Sequence, residues 1–209
     1  MCAERRERLI VFSRAPRPGT VKTRLIPLLG AEGAARLQKT LLERTMAAAA
    51  ALPEVDLELH STDVTDEDIR ACAARHRARV VQQGSGDLGE RMHAALARAL
   101  ERRRCSAVVL VGSDCPLLSA QYLAAAFGAL RQGNDAVFGP AEDGGYVLVG
   151  VTRPIPEIFS SIAWSTPAVM DQTRRRLRER GCRWHELGTL WDVDGPEDYE
   201  RFMREHRDT

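Results

Sequence analysis

The chain has 209 residues, 44% of them hydrophobic and 28% charged, and a formal net charge of +1 at pH 7. That length and composition suit one globular domain with a sizeable core. The near-neutral charge removes the case for nucleic acid or an anionic membrane as a bulk partner, and no run approaches the roughly 20 apolar residues of a membrane span.

Charged Glu4–Arg8 gives way at once to a short apolar run, without a signal peptide's long apolar region and cleavage site. Five cysteines, Cys2, Cys72, Cys105, Cys115 and Cys182, are scattered and form no CxxC pair. Their spacing speaks against a zinc or disulfide framework and for a reducing, cytoplasmic setting. Only Lys22 and Lys39 among the 30 basic residues are lysines, so each stands out.

Leu9–Phe12 reads as the first buried strand. It opens into Ser13–Leu25, an irregular loop with two prolines and a glycine that carries Arg14, Arg17, Lys22 and Arg24. A basic, glycine-containing loop after a first strand is where α/β proteins receive phosphates, on backbone N–H groups and cationic side chains. A solvated basic loop remains the plain alternative. Neither the Walker spacing nor GxGxxG is present. Ala31–Ala51 reads as an alanine-rich helix ended by Pro53, and Val55–His60 as a strand with one wetter face near a sheet edge. His60 is read as a polar strand-end residue and not a ligand. A short helix over Asp66–Arg75, a strand over Val80–Gln83 and a turn at Gly84–Asp87 follow. Leu88–Arg103 is a strong helix with Asp87 as N-cap. Arg91 in its first turn opposes the helix dipole, so it either holds an anion or is an exposed surface arginine.

Ala107–Val111 is unbroken and apolar, as in a strand buried on both faces. Its end turns polar at Gly112-Ser113-Asp114 before Pro116 stops the ladder. Ligands of open α/β sheets bind outside the carboxyl ends of strands, which makes Asp114 the expected centre of the site. Ser119 caps a helix over Ala120–Leu130, and Asp135–Pro140 is a strand. Asp143-Gly144-Gly145 is a tight turn that lets backbone approach a ligand or simply closes a hairpin, and Tyr146–Val151 is the strand after it. Thr166-Pro167 looks like the cap and first residue of the next helix, which Gly181 closes. Trp184–Leu187 is a short strand and Glu197–His206 the last helix. The alternation of strands and helices implies a single α/β domain with a mostly parallel sheet and helices on both faces.

Asp114, Asp143 and the Asp192/Asp194 pair, with the basic loop at the same sheet edge, suit a Mg²⁺-dependent transfer from a nucleotide. No Ser-His-Asp, Cys-His or HExxH arrangement stands out.

The segment Phe12–Leu25 resembles the opening signature of the DUF2064 family, the small transferases that include selenodomain-associated transferase 1. Leu88–Met92, Gly112–Pro116, Gly139–Tyr146, Trp164–Thr166 and Asp192–Asp198 are similar to its later blocks. The resemblance runs through nearly the whole chain. It implies a single GT-A, nucleotide-diphospho-sugar transferase-like domain over residues 1–209, and kinship with phospholactate guanylyltransferases. It places the phosphate grip on Lys22 and Arg24, the metal (Mg²⁺ or Mn²⁺) on Asp114, and a second carboxylate in Asp192–Asp194. Arg14 stands where related loops commonly carry lysine, and a planar fork is not a point charge. Gly195 stands where the family usually has threonine. That leaves Asp194 as the expected helix cap and favours Asp192 as the second ligand.

The expected site is therefore Asp114, Lys22 and Arg24 for catalysis, and Arg14, Gly19, Lys22, Arg24 and Arg91 for the nucleotide phosphates. Asp143, Gly144 and Gly145 are expected at the substrate, and Asp114, Asp192 and Asp194 at the metal. The partners are a nucleotide, as triphosphate or nucleotide-sugar, and a small acceptor. A nucleotidyltransferase leads. The rivals are a glycosyltransferase, which an Asp-x-Asp at the end of the central strand would favour, and a non-catalytic nucleotide-binding module, which would not need the carboxylates.

Overall fold

The Val-rich runs form the middle of the sheet. The computed structural model describes residues 6–101 and 105–205. In it β1 (Arg6–Ser13) lies between β2 (Val55–Ser61) and β4 (Cys105–Gly112), parallel to both. The remaining strands are β3 (Arg79–Gln82), β5 (Ala136–Pro140), β6 (Tyr146–Val151) and β7 (Trp184–Glu186). They give one seven-stranded sheet in the order β3-β2-β1-β4-β6-β5-β7. Only β6 among the described strands runs against its neighbours, because β5 and β6 form a hairpin across the Asp143 turn. β2 lies one strand in from the edge, which β3 occupies. His60 is accordingly buried, stacked on Phe12 and 2.9 Å from Glu58, so the strand-end surface reading gives way to an interior one.

The strands bury both faces, and their alternation separates two cores. Leu9, Val11, Val109 and Val111 face α1 (Ile26–Ala50), α2 (Glu67–Arg75) and α4 (Ala120–Arg131) through Leu42, Met46, Ile69 and Phe127. Ile10, Phe12, Val108 and Leu110 face α3 (Leu88–Glu101) and α5 (Val169–Glu179) through Met92, Leu96, Met170 and Leu177. A smaller cluster, Leu25, Leu37, Leu41, Trp191, Val193 and Phe202, seats α6 (Pro196–Glu205) against the front of α1. The result is the three-layer α/β architecture expected, with the sheet covered on both sides.

Several boundaries differ from the expected ones for local reasons. Gly30, at φ 70°, breaks α1, so that Ile26–Leu29 forms a separate turn before the long helix. Asp87 and Glu90 cap α3 reciprocally: Glu90 N–H donates to Asp87 Oδ1 at 2.8 Å and Asp87 N–H to Glu90 Oε2 at 2.9 Å. Thr166 does not start α5. Its hydroxyl donates to Ala163 O at 2.7 Å within a turn, and the helix begins three residues later. The reason lies next door: Gly144, at φ 87°, packs so closely on Pro167 that a Cβ there would collide with the Pro167 carbonyl, and its own carbonyl takes the Met170 N–H at 2.9 Å. Arg103 and His206, the expected ends of two helices, and Cys2 lie outside the described residues. No helix among the described residues is long and apolar enough to cross a membrane.

Candidate active site

The site forms where the C-terminal segment is laid across the ends of the central strands. Leu190 N–H donates to Pro140 O and Val193 N–H to Asp114 O, both at 3.0 Å. This places Asp192 and Asp194 beside Asp114, although nearly 80 residues separate them in sequence. From the other side comes Lys22. It adopts φ 46° and ψ 42°, a left-handed conformation rare for a side-chain-bearing residue, just before a 3₁₀ turn over Thr23–Leu25. A costly backbone conformation at a charged site residue is the kind of strain that functional sites hold. The Lys22 side chain is only 3% exposed. Its ammonium donates to Val193 O at 2.7 Å and lies 3.0 Å from Asp114 Oδ1 and 3.5 Å from Asp194 Oδ1. One lysine thus joins the first loop, the end of β4 and the C-terminal segment.

The charge there is not balanced. Arg24, on the solvent side, comes only to 3.9 Å from Asp194. Burial, then the charges of Asp114 and Asp194, push the Asp192 carboxyl up to about 7, against the partial relief of Lys22; Asp143 adds to the push. Asp114 and Asp194 stay substantially exposed, at 40% and 57%. An oxygen-only donor set with surplus negative charge fits a hard divalent cation such as Mg²⁺ or Mn²⁺. Cys115, next to Asp114, is no nucleophile: burial first, with Asp192 adding, pushes its thiol up to about 12.

Asp194 does not cap the last helix. Asp198 does that work, its Oδ2 accepting from Gly195 N–H at 2.7 Å and Asp194 N–H at 3.0 Å. The expected preference for Asp192 over Asp194 therefore loses its basis, since both carboxylates are available to the site. Arg14 is exposed at the start of the loop. Gly19, at φ 80°, has open space where a Cβ would be, so its backbone is approachable. Arg17 is drawn away into ion pairs with Asp63 and Asp66. Arg91 is anchored, donating to Gln83 Oε1 at 2.9 Å and Asp87 O at 3.2 Å. Gln83 in turn donates to Ser13 O and His60 O, which ties Arg91 to the root of the first loop. Asp143 is exposed and closes its own turn, accepting from Gly145 N–H at 2.8 Å.

Beneath Asp114 lies a contact absent from the sequence reading. Gln38 of α1 donates to Ser113 Oγ at 3.0 Å, and Ser113 to Ser13 Oγ at 3.1 Å, all three side chains buried. They lock the ends of β1 and β4 together. The available signal was a glutamine within the apolar stripe Ala34, Leu41, Thr45 of α1.

The architecture is that of the GT-A class of transferases, the fold of nucleotide-diphospho-sugar transferases and nucleotidyltransferases. A protein of Desulfovibrio desulfuricans G20, provisionally named a nucleotide-diphospho-sugar transferase, superposes with a TM-score of 0.87 over 97% of this chain and 88% of that one, at 29% identity. Two more distant structures share the fold. The 4-diphosphocytidyl-2C-methyl-D-erythritol synthase of Anaerococcus prevotii DSM 20548 has a TM-score of 0.62 at 14% identity, over 94% of each chain. Rv0371C of Mycobacterium tuberculosis H37Rv, solved in complex with manganese, has a TM-score of 0.57 at 18% identity, over 97% of this chain and 100% of that one. No curated protein matches the sequence. The family model described as an uncharacterized protein conserved in bacteria, DUF2064, matches residues 45–166, more than half of the chain, and the chain belongs to that family.

Proposed function

We propose that this transferase moves a nucleotidyl group: an acceptor phosphate or carboxylate oxygen attacks the α-phosphate of a nucleoside triphosphate, the new P–O bond forms, and pyrophosphate leaves. The observation that carries this reading is the strained, buried Lys22 whose ammonium sits between Asp114 and Asp194. A lysine fixed there presents a point charge to the phosphates of a ligand entering over the strand ends. Arg14 and Arg24, both exposed, would add cations from the solvent side, and the open backbone at Gly19 would offer N–H groups. Arg91, tied through Gln83 to the root of the loop, adds a cation on the α3 side. The turn at Asp143-Gly144-Gly145, with Asp143 exposed, would then meet the acceptor. Asp114 with Asp192 or Asp194 would hold Mg²⁺ or Mn²⁺, which when bound offsets the charge that develops on the phosphates.

Glycosyl transfer from a nucleotide-sugar is the second reading, favoured by the name of the Desulfovibrio protein. Against it, the position where an Asp-x-Asp would carry its second carboxylate is Pro116. Thermal shift with GTP, CTP, UTP and a UDP-sugar, each with and without Mg²⁺ and Mn²⁺, tests both readings. A metal-dependent rise with one triphosphate, followed by pyrophosphate release in the presence of phosphorylated or carboxylated acceptors, supports nucleotidyl transfer. Stabilisation by the nucleotide-sugar alone, with nucleoside diphosphate as product, overturns it. Replacing Lys22 by alanine should weaken triphosphate more than monophosphate, and equal losses would remove Lys22 from the phosphate grip.

A further inference from the structure

A second group of ionisable side chains lies away from the strand ends, between α1 and α2. Among the described residues it is the one place where three His, Cys, Asp or Glu ligand atoms lie within 4.8 Å of one another. Cys72 and His76 are one helical turn apart, the His76 N–H bonding to Cys72 O at 3.2 Å, so their side chains share a face. Glu43 meets them from α1, with Oε2 at 3.0 Å from His76 Nε2. Arg75 occupies the other oxygen, Oε1. Cys72 is buried, and Glu43 and His76 are about three-quarters or more covered.

We propose that Glu43, Cys72 and His76 form a Zn²⁺ site that pins α2 to α1, separate from the metal site of the aspartates. The scattered cysteines argue against zinc only if the ligands are sought in local CxxC pairs. Here one sequence-local pair, Cys72 and His76, is completed by a residue 29 positions earlier. Thiolate, imidazole and carboxylate are zinc's ligand types, and three of them leave a fourth position for water. A thiolate and a carboxylate neutralise the divalent charge, which a half-buried site requires. The sulfur selects against the hard Mg²⁺ that the aspartates would take.

In the metal-free state Cys72 keeps its proton, and Glu43 is held by Arg75 and His76. Burial alone would raise Glu43, but hydrogen bonds from Arg75, His76 and Cys72 hold its carboxyl below the usual range. Burial, with Glu43 adding, pushes the Cys72 thiol up to about 12, so this thiol is not a free nucleophile. Zinc capture releases the Cys72 thiol proton to solvent and removes the proton that His76 Nε2 shares with Glu43, so that Nε2 faces the metal and the neutral imidazole carries its one proton on Nδ1. Arg75 on Oε1 then orients the carboxylate from outside.

Cobalt(II) tests the site without any activity assay. Metal-stripped, reduced protein in saturating Mg²⁺ is titrated with CoCl₂. The expected result is one equivalent bound, with a thiolate-to-cobalt band in the near ultraviolet that ZnCl₂ displaces. Cys72→Ser should abolish the band. His76→Ala should weaken Co²⁺ binding by more than the about 10- to 100-fold typical of losing an outer-shell partner. Asp114→Ala should leave both unchanged. No thiolate band in the parent protein, a band that survives Cys72→Ser, or one lost with Asp114→Ala overturns the proposal. Should Cys72→Ser fail to fold, His76→Ala decides, because its side chain lies at a helix end, and unchanged affinity in that variant also overturns it.

Discussion

Two groups of buried or half-buried charges sit on the central strands, and they are built to opposite rules. Along β1, β2 and β3, the ionisable side chains Arg8, Asp56, Glu58, His60 and Arg79 pair with one another, although Arg8 Nε itself lacks a hydrogen bond. Asp56 takes Arg6 and Arg8 at 3.3 and 3.2 Å, and Glu58 takes Arg8, Arg79 and His60 at 3.7, 4.0 and 2.9 Å. At the strand ends one buried ammonium serves two carboxylates, and a third is driven toward its protonated form. The first group closes on itself and holds the sheet. The second has more carboxylates than its one buried cation serves, and it takes up either a proton or a further cation. That difference separates a structural ion cluster from a binding site more reliably than burial, which both share.

The comparison can be broken at four points. The largest effect is expected from Glu58→Ala, which removes the buried carboxylate beside Arg8 and leaves it Asp56 and the Ala99 carbonyl. Breaking a buried pair costs about 3–5 kcal/mol, and Arg8's remaining bond to Asp56 puts this case near the lower figure. Denaturant unfolding measures it, and a cost under about 1 kcal/mol would show that the first group is no more structural than a surface pair. Next, Asp114→Ala should cut turnover of the nucleotide identified by thermal shift by about 10²-fold or more, while the fold stays within about 1 kcal/mol of the parent. Near-normal activity with Mg²⁺ or Mn²⁺ removes Asp114 from the metal site.

Asp192→Asn sharpens the comparison through pH. The ordinary carboxyl value of 3.8 is raised in the folded protein to about 7. Between those values the folded chain holds more protons than the unfolded one, so Asp192 costs stability progressively as pH rises through that window, and the full cost is present above 7. In chelator at pH 8, Asp192→Asn should therefore melt higher than the parent, by about 2–4 °C for each kcal/mol of that cost in a chain of this size. The gain should vanish near pH 4. Added Mn²⁺ should reverse the order, because binding to the folded form stabilises only the protein that retains the ligand. A lower melting temperature for the variant at pH 8 in chelator would mean that Asp192 is ionised and well paired.

These tests also show which parts were legible in the sequence. β4, β5 and β6 were readable because short apolar runs are flanked on at least one side by Gly, Pro or Asp, and that pattern is local. The sheet edge carrying Asp114 and the basic loop followed from the same runs. What failed were features decided by distant residues. Thr166-Pro167 has the local signature of a helix start, yet Gly144 takes the Met170 N–H and moves the start along the chain. Arg17 looked like part of the phosphate loop until β2's trailing loop supplied Asp63 and Asp66. The Glu43–Cys72–His76 group is invisible until α1 and α2 are packed.

The smallest expected effect concerns the two acids that compete for the start of α6. Glycine at 195 leaves the helix without a hydroxyl cap, and the nearest acidic residue before it, Asp194, is the natural local candidate. The structure solves the problem from inside the helix: Asp198 reaches back to the N–H groups of Gly195 and Asp194, freeing the Asp194 carboxylate to face Lys22 and Arg24. Asp198→Ala should therefore cost about 1 kcal/mol, the usual worth of a cap, and leave the metal dependence of activity alone. Asp194→Asn should do the reverse, holding its melting temperature while requiring more Mg²⁺ or Mn²⁺ for half-maximal activity, since it removes a charge that a hard cation prefers. Titrating activity against metal concentration and melting both variants distinguishes the assignments. If Asp194→Asn keeps its metal dependence, and Asp194→Ala rather than Asp198→Ala costs about 1 kcal/mol, the cap lies at Asp194 after all, and Asp192 alone partners Asp114.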